Sequence, residues 1–283
     1  MTWDRQSYRR LKNAIAMAVC TLMAVAAVLP LFAVLFHVAR LGITHIDLNF
    51  FTKLPAPVGE EGGGLANAVV GTLVLVGLAS SIGVPVGVLA GILLARASGW
   101  RWSFWVRYAA DVLSGVPSIV VGVVVYELVV VKAQTFSAYS GGIALAMIMI
   151  PTVVRTTEEM IRMVPYTLYE AALALGVPEW RATVAVLVRG ASAGIITGIM
   201  LAAARVAGET APLLFTAFNN NYWSKSLSEP IASLPLAIYN YALSPYETWH
   251  AMAWAASLVL VSLVLGMSIL TRIVTRGKYE IIQ

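Results

Sequence analysis

Residues 155–190, "RTTEEMIRMVPYTLYEAALALGVPEWRATVAVLVRG", interrupt a chain that is otherwise almost unbroken in its apolar character, and their reading decides the fold. Of 283 residues, 59% are hydrophobic and 12% charged, and the mean hydropathy is +0.82; a soluble domain carries about 25% charged residues. The quoted segment is therefore a polar connection between membrane helices. Inside it, Thr167 and Glu170 have the spacing of a capping box just before "AALAL". Gly176 is placed to end that short helix, and Pro178 fits the first turn of the next. The pattern predicts helix, turn, helix: a rigid knob between two spans that another protein can grip.

Working outward, a span needs about 20 apolar residues, and six stretches qualify: roughly 14–39, 65–95, 108–131, 137–154, 191–218 and 250–273. The reading is an all-α integral membrane protein with six transmembrane helices. The stretch 137–154 is the shortest, and Pro151 is expected to kink or stop it. The first follows Arg5, Arg9, Arg10 and Lys12 as a signal peptide would, but its apolar run exceeds the ~7–15 residues of such a segment, so it reads as a retained anchor. The chain divides into 1–64 (N-terminal segment, first helix and outer loop), a five-helix core at 65–273 containing the 155–190 loop, and a tail at 274–283.

Orientation follows from the basic residues. With the N-terminus inside, the inner segments hold fourteen of the nineteen Lys and Arg residues, and the outer segments hold four: Arg40, Lys53, Lys132 and Lys225. The positive-inside rule thus places both termini in the cytoplasm. The remaining one, Arg205, lies inside the fifth span and has no topological role. The long outer segment 219–249 is rich in interface aromatics, including Tyr222, Trp223, Tyr246 and Trp249, and its "PIASLPLAIYNYA" predicts a re-entrant or interfacial helix. Gly83, Gly87 and Gly91, and again Gly194 and Gly198, form small-residue stripes for close helix packing.

A charge at mid-bilayer costs about 2.5–3.5 kcal/mol on insertion scales, so Arg205 must face protein or water. It stands about 21 Å along its helix from the inner loop at ~1.5 Å per residue, past the middle of a ~30 Å core. Glu209, four residues later, is expected on the same helix face. Two readings compete: an ion pair that only fixes packing, or a guanidinium fork offered to oxyanions with Glu209 orienting it. Pro212 is expected to open the helix locally. Elsewhere, Asp111 is expected to pair with Arg107 and Arg155 with Glu159, each one turn apart, while Glu127 is expected to snorkel.

Several classes are disfavoured. The single cysteine, Cys20, supports neither an intrachain disulfide nor a cysteine metal site, and no metal site is expected. The basic residues flank spans rather than form a nucleic-acid face. No G-x-x-x-x-G-K-[ST] loop occurs, so ATP, if used, binds a separate subunit. "GASAG" at 190–194 matches a hydrolase elbow only as a string, because it opens a membrane helix and no histidine is near Ser192 in sequence. No catalytic residue is expected.

"EAALALG" at Glu170–Gly176 resembles the EAA motif of bacterial ABC import permeases, and "GGGLANAVVGTLVLVG", "GVPSIVVG", "IPTVVRTTEEM" and "ARVAGETAPLLFTA" resemble the phosphate permeases among them. The match runs from about Gly62 to Trp254, and one departure is Arg189, near which the family usually has a proline. The resemblance implies a type I importer permease fold with a cytoplasmic coupling helix, and a bacterial inner-membrane location. It implies ATPase coupling through Thr167, Glu170, Ala171, Ala172 and Gly176, and a phosphate path lined by Arg205 and Glu209 with Arg155 as a second transport residue. The implied partners are a homologous second permease, an ATPase dimer that holds ATP and Mg, a phosphate-binding protein and membrane lipid. A permease for sulfate or molybdate, and an ATP-independent channel or secondary transporter, are the alternatives.

Overall fold

A computed structural model describes residues 3–57, 60, 62–97 and 99–279, with side chains between residues 7 and 273. Among the described residues there is no strand. Helix α1 (Trp3–Gly42) is followed by a 3₁₀ turn at Ile43–His45 and the short α2 (Leu48–Thr52). Then come α3 (Ala66–Arg96), α4 (Arg101–Gly115), α5 (Ser118–Ala133), α6 (Ala138–Arg162) and α7 (Tyr166–Ala174). The chain ends with α8 (Glu179–Ala207), α9 (Ala211–Thr216), α10 (Leu234–Ala242) and α11 (Glu247–Tyr279). Among the described residues, five helices, α1, α3, α6, α8 and α11, are long and apolar enough to cross a membrane singly, and α4 with α5, counted as one bent span, makes a sixth. Of the tail at 274–283, residues 280–283 and all side chains lie outside the described residues, as do the side chains of Arg5, Arg276 and Lys278.

The third span differs from the straight helix expected at 108–131: α4 and α5 meet at 103°. The cause is local. Pro117 disfavours helical geometry in the residue before it, and Val116 is extended at φ −72°, ψ 129°. The fourth span is longer than expected at 137–154, since Pro151 does not stop α6, which runs on to Arg162. A transmembrane helix tolerates proline when neighbouring helices support it, and Pro151 is buried in α6, the most enclosed of the five single spans among the described residues.

Helix α6 is the axis of packing. The stripe of Gly83, Gly87 and Gly91 on α3 lies against Met149, Val153 and Thr157 of α6 in register, and a β-carbon added at Gly87 or Gly91 would come within 2.7 or 2.6 Å of its partner. On α8, Gly194 and Gly198 face Met160 and Thr156 of α6 in the same way. Both stripes act as the sequence predicts: they remove side chains so that backbones approach. Helix α1 stands outside this core, its apolar length exposed as a lipid-facing helix requires, and meets α11 where the His37 ring lies 5.1 Å from that of Trp254.

The outer segment 219–249 does form the expected short helix, α10, but it is bound to protein. Leu234 and Leu236 are buried, and the Leu234 amide donates to Thr72 Oγ1 of α3 at 2.8 Å. Asn67 of α3 donates to the Asn220 carbonyl at 2.7 Å, which ties the segment down at its other end.

Candidate translocation site

Arg205 occupies the last turn of α8, which ends at Ala207 with Gly208 as its cap. The helix expected to carry Glu209 on the same face therefore stops short of it. Pro212, in the first turn of α9, has no N–H to offer the Gly208 carbonyl four residues back, so the chain breaks here instead of continuing. Across the break, Arg205 Nε and Glu209 Oε1 are 3.9 Å apart. Hydrogen bonds of this kind span about 2.7–3.2 Å. The Arg205 side chain is 59% exposed and makes no hydrogen bond among the described residues, so its donor fork is uncommitted.

Both residues line a cavity of about 200 Å³ whose wall is the α4–α5 elbow. Leu113, Ser114, Val116, Pro117 and Ser118 come from the elbow, and Ile148 and Thr152 from α6. Among the described residues, the Ser114, Ser118 and Thr152 hydroxyls make no hydrogen bond. Some hydroxyls in the spans, those of Thr72, Thr197, Ser257 and Ser268, bond back to the carbonyl four residues earlier, while that of Thr157 is also without a partner among the described residues. Sequence reasoning missed these three residues. The signal was present: polar residues on both sides of a Val-Pro break within an apolar span.

Arg155 does not reach this cavity. It lies one turn below Thr152 on α6 and is bound by Asp111 of α4, whose Oδ1 accepts from Arg155 Nε at 2.8 Å and from Nη2. The expected local pairs are thus replaced by pairs between helices. Asp111 bonds Arg155 rather than Arg107, Arg155 bonds Asp111 rather than Glu159, and Arg107 bonds Glu158 at 2.7 Å. The reason is that α4 crosses α6 antiparallel, so a spacing of four on one helix meets a spacing of three on the other. Glu158 is buried and also takes Arg162 at 2.7 Å. Glu127 is exposed on α5.

The knob between the spans is α7. Pro165 caps it, so Thr167 is already its second residue and makes no capping bond, contrary to the predicted capping box; Pro165, with φ −56°, starts the helix two residues early. Its end follows expectation. Gly176 is left-handed at φ +81°, its amide bonds the Leu173 carbonyl at 2.9 Å, and the Val177 amide bonds that of Ala172 at 3.1 Å, which is the Schellman arrangement. Pro178 caps the next helix rather than entering its first turn.

Tyr169 is buried and Ala172 half-buried in a cluster with Ile161, Ala182 and Leu187, while Thr167, Glu170, Ala171 and Gly176 point outward. Around them Tyr166, Leu168, Leu175 and Trp180 are exposed. Arg96, at the inner end of α3, bonds Glu179 at 2.7 Å and the Tyr169 hydroxyl at 3.2 Å, which clamps the knob to the bundle. Ser192, by contrast, lies within the uninterrupted α8, so the strand-to-helix turn of a hydrolase elbow is absent there.

The architecture defines the class: a multi-pass helical permease of the type I ABC importer fold, with an external knob below a polar break in its core. The family model "Binding-protein-dependent transport system inner membrane component" matches residues 87–278, and the chain belongs to that family. The chain is 44% identical over 275 residues to the phosphate transport system permease protein PstA of Yersinia pestis, covering 97% of this chain and 93% of that one. It is 48% identical to PstA of Xylella fastidiosa (strain Temecula1), covering 92% and 91%. Among solved structures, an inward-facing MetNI methionine ABC transporter matches with TM-score 0.59 at 19% identity, over 75% of this chain and 92% of that one. That likeness concerns the fold.

Proposed function

We propose that the chain is the transmembrane permease subunit of an ATP-driven importer of inorganic phosphate. It supplies half of the translocation path and performs no covalent chemistry itself. The observation that carries this reading is the uncommitted Arg205 fork in a polar cavity, within a chain 44–48% identical to phosphate permeases along nearly its whole length. The same relatives favour phosphate over sulfate or molybdate, and the knob favours an ABC importer over a channel that works alone.

On this reading a homologous second permease completes the path, and a phosphate-binding protein delivers the anion at the outer face. An ATPase dimer carrying ATP and Mg grips α7 from the cytoplasm, where the basic residues place both termini. Closure of the ATPases pulls on Thr167, Glu170, Ala171 and Gly176. The Arg96–Glu179 clamp and the Tyr169 cluster pass the pull to α3, α6 and α8, and access to Arg205 alternates. Arg155, held by Asp111 one turn lower, is the next cation on the inward route.

The test is Arg205→Gln in the full complex. Phosphate uptake is lost while the complex assembles and hydrolyses ATP; uptake at the wild-type level would make Arg205 a packing residue.

A further inference from the structure

Arg205 alone does not distinguish one tetrahedral oxyanion from another, because a guanidinium offers only hydrogens. Its cavity contains something more discriminating. Glu209, with a side chain 19% exposed, has its carboxylate 3.9 Å from Arg205, too far to be used up by it, and makes no hydrogen bond among the described residues. A carboxylate offers only acceptors. An ion pair evolved simply to neutralise itself closes to bonding distance, as Arg96–Glu179, Arg107–Glu158 and Arg162–Glu158 do at 2.7 Å in this same chain.

The remaining polar groups fit the gap. Ser114, Ser118 and Thr152 carry hydroxyls that both donate and accept, and they leave those hydroxyls unspent. The cavity, about 200 Å³, is several times the ~30 Å³ share of a liquid water, so an anion with part of its hydration fits between them.

A site that offers donors, amphoteric hydroxyls and one carboxylate acceptor suits an anion that carries its own hydrogen. Phosphate near neutral pH keeps at least one P–OH, whereas sulfate is fully ionised and presents only acceptors. Beside Glu209, a P–OH donates a hydrogen bond; a sulfate oxygen meets the carboxylate with no hydrogen between them. Unpaired polar groups in a site are a strong means of rejection.

We infer that the Arg205 cavity is a selectivity site for hydrogen-bearing oxyanions. Arg205 takes the anion's charge, Glu209 accepts the hydrogen of its P–OH group, and Ser114, Ser118 and Thr152 complete the shell. The inference rests on the phosphate-import reading and deepens it: this chain sorts phosphate from sulfate independently of the binding protein. Glu209 is then a specificity residue rather than only a partner that orients Arg205.

The experiment uses the full permease–ATPase complex in nanodiscs without binding protein. Line broadening of the ³¹P resonance of inorganic phosphate reports weak binding, and sulfate is added as the competitor. In the wild type, phosphate is broadened and sulfate displaces it poorly. Glu209→Gln, whose amide offers both a donor and an acceptor, keeps phosphate binding but lets sulfate compete at least about tenfold better, since a missing hydrogen-bond partner is what enforces such rejection. Glu209→Asp keeps the preference, and Arg205→Gln loses the broadening. Retained ATP hydrolysis in each variant shows that the complex is folded.

Equal competition by sulfate in the wild type, an unchanged preference in Glu209→Gln, or no phosphate broadening in the wild type overturns the inference. None of these results touches the phosphate-import reading, which stands or falls on uptake in Arg205→Gln cells.

Discussion

The polar cavity depends on a close approach that one glycine permits. Gly122, one turn beyond Ser118 on α5, packs on the backbone of Pro212, three residues beyond Glu209. A β-carbon there would lie 2.6 Å from Pro212 Cα and 3.1 Å from its carbonyl oxygen. Carbon atoms in contact settle at about 3.5–4.0 Å, so Gly122→Ala must part α5 from α9 by roughly 1 Å. Backbone atoms have no rotamer by which to escape. Overpacking of this size costs about 1–3 kcal/mol, and because the two segments carry Ser118 and Glu209, it also widens the cavity.

Positioning errors of ~1 Å cost on the order of 10²-fold where geometry sets a rate, so phosphate uptake should fall by tenfold or more. The control is Gly83→Ala. Its β-carbon would lie 3.4 Å from the flexible Met149 side chain, an ordinary contact, and uptake and stability should stay near wild type. The assays are ³²P uptake in cells at matched expression and thermal unfolding of the purified complex. If Gly122→Ala and Gly83→Ala behave alike, the close approach at Pro212 does not set the cavity.

Two further outcomes follow from single residues. Gly176 is left-handed with nothing within 4 Å of its would-be β-carbon, so Gly176→Ala carries only the conformational penalty of about 1–2 kcal/mol; it should fray the end of α7 and lower phosphate carried per ATP hydrolysed, and Gly176→Asn should recover part of the loss. Tyr241, buried against Trp249 with ring centroids 4.7 Å apart, has its hydroxyl pushed up to about 12 by burial. The unfolded phenol titrates near ~10, so the folded form holds its proton longer: the α10–α11 contact keeps its full stability below pH ~10 and loses it as pH rises through about 12. Tryptophan fluorescence of unfolding against pH should show that slope, and Tyr241→Phe should remove it.

Much of the architecture was legible because lipid imposes simple rules. Length and hydropathy located the spans, and glycine spacing identified the faces of α3 and α8 that meet α6. Arg205 was found because it was the one cation without a place in the topology. What escaped were features set by crossing helices. The pairs Arg107–Asp111 and Arg155–Glu159 were plausible on isolated helices, but α4 lies across α6, and Arg107, Asp111 and Arg155 each took a partner on the other helix. The elbow that causes this was written in Val116-Pro117 and is readable from proline sterics; within an otherwise apolar span, its consequence for Ser114 and Ser118 was not. The capping box at Thr167 failed for a related reason, since Pro165 determined the start of α7 first.

The cations that join one helix to another are paired at bonding distance, and the contrast with Arg205 argues against mere packing. Arg96 joins α3 to the knob, Arg107 and Arg162 converge on the buried Glu158, and Arg155 is held by Asp111; Arg96, Arg107 and Arg155 do so through charge-assisted hydrogen bonds and Arg162 through an ion pair at 2.7 Å. Such pairs join elements that must move as units, and for them closeness is the function. Arg205 and Glu209 flank a broken helix, remain 3.9 Å apart, and share a cavity with three hydroxyl residues that make no hydrogen bond among the described residues. If neutralisation were their purpose, an unbroken helix would place them in contact at no cost. The Gly208–Pro212 interruption forfeits helical hydrogen bonds to hold them apart, and that expense is intelligible if the space between them is where an anion passes.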